Sequence, residues 1–307
     1  MPPGLIGPIE VPVFCPSYPD LESRFPTLYP GGYWTPIDCK PRHKVAIIIP
    51  YRHRDTHLRI FLRHMHPFLQ KQQLHYSIFV IEQITNQTFN RGKLLNIGFM
   101  EAMKLDQWHC IIFHDVDLLP ENDHNLYTCP TQPRHMSVAV DKFQYQLPYD
   151  TIFGGVTALT TGQFKTLNGY SNDYWGWGGE DDDMAQRVHL HELEIIRYPP
   201  DIAKYKMIRH NLDHGNSINS CRYELNKKVK WRWRKDGLRN LIYDVVKVEK
   251  RHLFTRILVD LLENQSRRKL DEEKVCQSNV YHYAIICLIS VIMVGGYGFV
   301  KLAIARK

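Results

Sequence analysis

The run VAIIIPY, residues 45–51, constrains the fold more than any other stretch of the chain. It carries no charge, is rich in β-branched residues and has proline next to its end, which reads as a buried strand. HLRIFLRHMHPFLQKQQ (57–73) follows, its apolar residues at helical spacing and Pro67 an interruption. HYSIFVIEQ (75–83) reads as a second strand and RGKLLNIGFMEAMKL (91–105) as an amphipathic helix. CIIFHDVDLLP (110–120) reads as a third strand that runs into acids. This β-α-β-α-β order predicts an α/β fold built on a doubly wound, mostly parallel sheet. Ligands on such sheets sit past the strand C-terminal ends. Arg52, His53 and Arg54 fall at one such end, Asp115 and Asp117 at another, so basic and acidic groups converge on one rim. Farther along, SVAVDKF (137–143) and GGVTALT (154–160) read as strands and TGQFKTLNGY (161–170) as a short helix closed by Gly169. DDDMAQRVHLHEL (181–193) reads as a helix whose first turn carries acids.

The two ends of the chain differ from this core. Residues 1–43, proline- and tyrosine-rich and without periodicity, read as an irregular arm before a domain at 44–262. After a linker at 263–279, VYHYAIICLISVIMVGGYGFV (280–300) has one histidine and no formal charge. That length crosses a bilayer core, so it reads as a transmembrane helix and membrane anchor, with a buried core helix as the bland alternative. The basic tail, 301–307, would stay cytoplasmic and leave the domain lumenal. MPPGLIGPIEVPVF at the start is no signal peptide. Either a segment precedes this sequence or the topology is unusual. Hydrophobic residues at 44% and charged residues at 23% exclude a disordered chain, and the net charge of +7 suits an anionic partner without naming it. The seven cysteines form no CxxC pattern, and Cys287 lies in the apolar run. Sequons at Asn86 and Asn264 are compatible with secretory passage.

Two acidic motifs carry the chemistry. Asp115-Val116-Asp117 at a strand end can bring two carboxylates to one divalent cation, while Arg52 and Arg54 supply charge for the free oxygens of a diphosphate. Neither GxxxxGK[ST] nor GxGxxG is present, so the common phosphate cradles are missing. WGWGGEDDD (175–183) joins two tryptophans and three glycines to four acids. Acids at a helix N-terminus are favoured by its free N–H groups, which is the structural reading of EDDD. The glycine-rich stretch before it reads as a mobile loop with an aromatic ring to place.

DVDLLPE, FNRGKLLNIGF, FGGVTALTTGQFKTLNGYSNDYWGWGGEDDD and YKMIRH, in this order, resemble the β-1,4-galactosyltransferase family, glycosyltransferase family 7. The match runs over roughly residues 10–262. It implies a glycosyltransferase-A fold with a single catalytic domain, Mn²⁺, a UDP-sugar donor, and a Golgi membrane location with the domain lumenal. By resemblance, Asp117, Met207 and His210 are metal ligands. Pro50, Arg52, Arg54, Phe89, Arg91, Asp115, Val116 and Lys142 hold the donor, and Trp177 closes over it. Asp181 is the general base, with Glu180 beside it. Tyr149, Asp181, Asp182, Arg222 and Tyr223 meet a GlcNAc-terminated acceptor. Cys15–Cys39 and Cys110–Cys129 are the implied disulfides; Cys221 and Cys276 remain, and a third bridge between them is expected.

Ile152, in LPYDTIFGG, stands where the vertebrate galactosyl enzymes have a tyrosine that crowds the donor 2-substituent. The chain is most similar in this respect to nematode β-1,4-N-acetylgalactosaminyltransferases. The resemblance thus implies an inverting transfer of GalNAc from UDP-GalNAc to O4 of a terminal β-GlcNAc on a glycoprotein or glycolipid. The alternative is a UDP-Gal-using enzyme, and a remote one is a non-catalytic glycan-binding protein on the same fold. KKVKWRWRK (227–235) interleaves bases and tryptophans in a way that also suits nucleic acid, but the sugar-nucleotide motifs point away from such a partner.

Overall fold

The computed structural model describes residues 2, 4–209 and 215–276. Its centre is the expected alternation: β1 (Lys44–Tyr51), α2 (Asp55–Lys71), β2 (His75–Gln83), α3 (Arg91–Leu105) and β3 (Cys110–His114), preceded by a short helix α1 (Tyr18–Arg24). β1 lies between β2 and β3, parallel to both. The period of two along β1 sends Val45, Ile47 and Ile49 into one core with Leu58, Phe61 and Met65 of α2. Ala46 and Ile48 face the opposite core with Leu94 and Ile97 of α3. The sheet is therefore covered on both faces, as double winding requires. Close packing of α3 depends on Gly98: a Cβ there would stand 2.3 Å from Ile48 Cγ2.

The full sheet has eight strands, ordered β10 (Asp244–Lys250), β11 (Thr255–Asp260), β2, β1, β3, β7 (Val156–Thr160), β5 (Arg134–His135) and β8 (Ile196–Arg197). Pairing is parallel from β11 through β3, then antiparallel from β3 to β7 and from β7 to β5. The sheet is thus mixed: β7 enters beside β3 without a covering crossover helix, and parallel pairing needs such a crossover. A second sheet joins β4 (Leu118–Pro120), β9 (Lys204–Met207) and β6 (Ala139–Val140).

Several local expectations change. The stretch 110–120 is not one strand, because the chain turns at 115–117: Asp115 N–H donates to Gly155 O, and Leu118 N–H donates to Asp115 O. Pro67 does not interrupt α2, whose neighbours Met65, Phe68 and Leu69 are buried against the sheet and hold the helix through the lost N–H. In 137–143 only β6 is extended, and Asp141–Phe143 forms a 3-10 turn. Within the arm 1–43, α1 is capped by Ser17, and Leu21 and Phe25 pack into the main core. Residues 263–279 include α8 (Glu263–Glu272).

Cys110 and Cys129 are bridged, with Cα atoms 5.3 Å apart, as are Cys221 and Cys276 at 5.1 Å. Cys15 and Cys39 are not: both are exposed thiols, and Cys15 Sγ instead approaches the carbonyls of Pro16 and Thr56. They sit on surface segments outside the helices and strands, where no regular element holds the two sulfurs together. The apolar run at 280–300 and its basic tail lie outside the described residues, so the span expected there has no structural account. Among the described residues no helix is long and apolar enough to cross a membrane.

Candidate functional site

The parallel strands deliver their C-terminal ends to one rim, and there a cleft of about 470 Å³ opens. Pro50, Arg52 and Arg54 come from the end of β1, and Phe89 and Arg91 from the β2–α3 connection. Asp115, Val116 and Asp117 come from the turn after β3. Lys142, Met207, Trp177, Glu180 and Asp181, also expected from the sequence, line it as well. Gly176 of the WGWGG stretch lines the cleft too, with Asn216 and Ile218, which carry no motif of their own and are found only through the fold.

The four consecutive acids separate because a helix turns about 100° per residue. All four stand in the first turn of α5 (Glu180–Leu190). Asp183 points inward to the fully buried Arg187, 2.5 Å from its Nε, and accepts a hydrogen bond from Tyr174 OH. It is a structural acid. Asp182 points outward and accepts from Tyr149 OH at 2.9 Å. Asp181 and Glu180 turn to the cleft and share Arg91. That guanidinium donates from Nε to Asp115 Oδ1 at 2.7 Å and from Nη1 to Asp181 Oδ1 at 2.7 Å, with Glu180 Oε1 3.7 Å away.

One arginine among so many acids sets the electrostatics. Burial in the cleft wall pushes the Asp181 carboxyl well above the usual carboxylate range; Arg91 pulls it down, while Glu180, Asp115 and Asp182 push it further up. Its side chain keeps 28% exposure, so water tempers the burial contribution. Glu180 is raised for the same reasons, and its Oε2 is buried without a hydrogen-bond partner among the described residues. Arg91 is held protonated by its carboxylates against the cost of burial. Asp181 also needs the backbone beneath it: a Cβ on Gly154 would stand 2.3 Å from its Oδ2.

Asp117, just before β4, lies beside Met207 at the end of β9. Met207 pairs in register with Leu118, and Ile208 N–H donates to Asp117 O at 2.8 Å. A carboxylate beside a thioether is a mixed hard and soft donor pair, which suits manganese better than magnesium. These two residues fit a manganese site. His210 lies outside the described residues. Among those described, no cluster of three His, Cys, Asp or Glu side chains could hold a metal by itself, so a site here depends on Met207, which composition would assign to the core.

The WGWGG loop is less free than its glycines suggest. Gly176, Gly178 and Gly179 all have φ between 92° and 102°, where side chains are strained. That backbone lets Gly176 N–H reach Phe89 O and lets Trp177 pair with Ser217 and Asn219. Trp177 itself remains 59% exposed at the cleft mouth. Arg222 lies over its ring at 5.5 Å and over that of Tyr223 at 4.8 Å. Arg222 begins the helix α6 (Arg222–Lys227). Tyr149, Asp182, Arg222 and Tyr223 are not in the cleft lining but form two flanks beside it. Ile152 is also absent from the lining; it is half-buried, and its carbonyl accepts from Arg197 Nη2 at 2.9 Å. Asn86 and Asn264 are both exposed.

Comparison with known proteins agrees with this geometry. Residues 1–130 match the N-terminal region of glycosyl transferase group 7, and residues 134–211 match a profile described as the N-terminal domain of galactosyltransferase. β-1,4-galactosyltransferase 3 of Homo sapiens is 50% identical over 263 residues, covering 84% of this chain and 66% of the relative. β-1,4-galactosyltransferase 4 of Cricetulus griseus is 51% identical over 230 residues, covering 75% of this chain and 67% of the relative. The chain therefore spans about two thirds of the length of the curated relatives it matches. Among solved structures, the catalytic domain of Drosophila β-1,4-galactosyltransferase 7 complexed with xylobiose aligns at TM-score 0.62 and 31% identity, covering 77% of this chain and all of that one. A mutant of the same enzyme complexed with manganese, UDP-Gal and xylobiose aligns at TM-score 0.61 and 32% identity, covering 71% of this chain and 94% of that one.

Proposed function

The chain belongs to glycosyltransferase group 7, the β-1,4-galactosyltransferase family, and from that premise we propose that it is an inverting, manganese-dependent glycosyltransferase. It moves a sugar from a UDP donor to O4 of a terminal β-GlcNAc. The observation that carries this is Arg91, which ties a donor-side acid, Asp115, to an acceptor-side acid, Asp181, in one cleft.

Arg52, Arg54 and Lys142 compensate the diphosphate charge, and Phe89, under the Arg52 guanidinium at 5.0 Å, forms a flat wall for the nucleotide. Asp117 and Met207, with His210, would hold Mn²⁺, which when bound neutralises charge on the diphosphate leaving group. Asp181, made more basic by its acidic neighbours, takes the proton of the acceptor O4 hydroxyl. That oxygen attacks the anomeric carbon while the bond to UDP breaks, so an α-linked donor gives a β-linkage. Arg91 holds Asp181 in place, and Trp177 keeps water from the donor. The family and the two exposed sequons favour a Golgi lumenal site of action.

Galactose is the donor sugar best supported, because the relatives are galactosyltransferases by name. That reverses the preference for GalNAc read from Ile152. Ile152 alone favours the second reading, through the smaller side chain it presents where a tyrosine would crowd the sugar, and its place outside the cleft lining weakens it. The test is UDP release with UDP-Gal and UDP-GalNAc on a GlcNAc acceptor, with and without Mn²⁺, for wild type and Ile152→Tyr. Mn²⁺-dependent release favouring UDP-Gal, with a donor ratio unmoved by the substitution, supports the first reading. A wild-type preference for UDP-GalNAc that Ile152→Tyr reverses supports the second. Absence of acceptor-stimulated release from either donor refutes the proposal.

A further inference from the structure

A second pocket, about 300 Å³, lies apart from the donor cleft and shares none of its lining residues. It sits between α3, the helix α7 (Val229–Arg232) and α8. Its charges divide into two groups. Arg232 is ion-paired with both Asp173 and Glu273, and Asp236 accepts from Asn172 N–H and Ser171 and lies 3.5 Å from Arg187 Nη2. Those acids are answered within the wall. Lys93, Lys235 and Lys269 are not: among the described residues none has a carboxylate within ion-pair distance.

Lys93 is the strongest sign. It is 1% exposed, yet its Nζ meets only neutral oxygens, Leu261 O at 2.5 Å and Ser266 Oγ at 2.7 Å. A buried ammonium with no carboxylate in direct contact is costly. Burial lowers its pKa to about 8 and Lys269 adds a little to that shift, while Asp173, Asp236 and Asp260 oppose it from beyond ion-pair distance. Asp173 is itself raised to about 7 by burial and Asp236, against the pull of its partner Arg232. The mouth of the pocket carries Trp231, 72% exposed, beside Lys235 and Lys269.

We propose that this pocket is a second binding site, for an oxyanion of the phosphate or sulfate monoester class, with Lys93, Lys235 and Lys269 supplying the charge. Trp231 offers a flat face to the ring that carries the ester. The site goes beyond the transferase reading and does not depend on it. A bound anion would reach Lys93, whose Nζ stands 5.4 Å from the Trp175 ring at the base of the WGWGG loop.

The test is titration of the full chain with inorganic phosphate, glucose 6-phosphate and glucose, followed by thermal shift and tryptophan fluorescence. Glucose 6-phosphate is expected to bind saturably and glucose not at all. Lys235→Ala with Lys269→Ala, both exposed positions, is expected to weaken binding at least 10-fold with the unliganded Tm unchanged. Arg54→Ala, in the donor cleft, is expected to leave it intact. Trp231→Ala is expected to weaken glucose 6-phosphate but not inorganic phosphate. Binding lost in Arg54→Ala and kept in the double variant would return the anion to the donor cleft and overturn the proposal. Equal binding of phosphate and glucose 6-phosphate by wild type would overturn the assignment to an ester and leave a free oxyanion as the ligand.

Discussion

The two sides of the cleft are built differently. The side proposed to take the donor is made of strand ends and the segments that leave them: Arg52, Arg91 and Asp117 stand just past or between strands of a sheet buried on both faces, and their geometry is inherited from it. The side proposed to take the acceptor is a shelf of exposed Trp177, Tyr149 and Tyr223 with half-buried Asp182, carried by loops and helix starts and held by single hydrogen bonds and ring contacts. Rigid elements position chemistry, while a shelf of side chains can be re-lined without disturbing the sheet. Donor handling should therefore be hard to change by mutation, and acceptor choice easy.

The sharpest test lies where the two sides meet. Asp181→Asn keeps the shape of the carboxylate and removes its basicity, so kcat should fall about 10²–10⁴-fold with UDP affinity retained. Steady-state kinetics with isothermal titration of UDP reads both; loss of UDP binding together with kcat would show that the sides are not separable.

The disulfides offer a second contrast. Cys110–Cys129 holds β3 behind the donor side, whereas Cys221–Cys276 anchors the start of α6 beneath the shelf and closes a sequence separation of 55. Cys221→Ser should cost about 2–4 kcal/mol in urea unfolding and raise the acceptor KM more than the donor KM. Cys15→Ser should change neither, because that thiol is exposed and unbridged.

Acid should affect the core beneath the cleft first. His66 and His135 are buried and neutral, and burial lowers the pKa of each to about 3. The unfolded chain binds protons at these groups from about 6.5 downward and the folded chain does not. Their contribution is complete above that value and declines as the pH falls toward 3. At pH 5 each should cost about 2 kcal/mol. Asp173, raised to about 7, works in the opposite sense: its contribution is present at acid pH and lost as the pH rises through 7. Tm measured from pH 7 to pH 5 should drop, and His135→Gln should flatten the slope.

The smallest expected effect is Tyr149→Phe. It removes one exposed hydrogen bond to Asp182, worth about 0.5–1.5 kcal/mol, so acceptor KM should rise by a few-fold to about tenfold with donor KM unchanged. A shift in donor KM would show that the shelf reaches across the cleft.

Much of the cleft rim was legible in the chain. β2 and α3 fall on the segments their periodicity marked, and the rim follows from strand direction alone. The residues proposed for the acceptor were suggested only by resemblance, because isolated polar residues in loops carry no period. Asn216 and Ile218 escaped both routes, since backbone pairing with the WGWGG loop brings them to the cleft. The break of the third strand at 115–117 was also hidden. An apolar run shows that a segment is buried, not where a hydrogen bond such as Asp115 N–H to Gly155 O turns it.

What the amino-acid order determined by itself is the alternation of buried strands and amphipathic helices, and with it the rim where Arg52 and Asp117 must lie. Hydrophobic periodicity is local, so it can be read from the residues directly. Only the tertiary structure decided how EDDD divides, with Asp183 given to Arg187, Asp182 to Tyr149, and Asp181 and Glu180 to Arg91. Four adjacent carboxylates are equivalent as a string, and partners distant in the chain tell them apart.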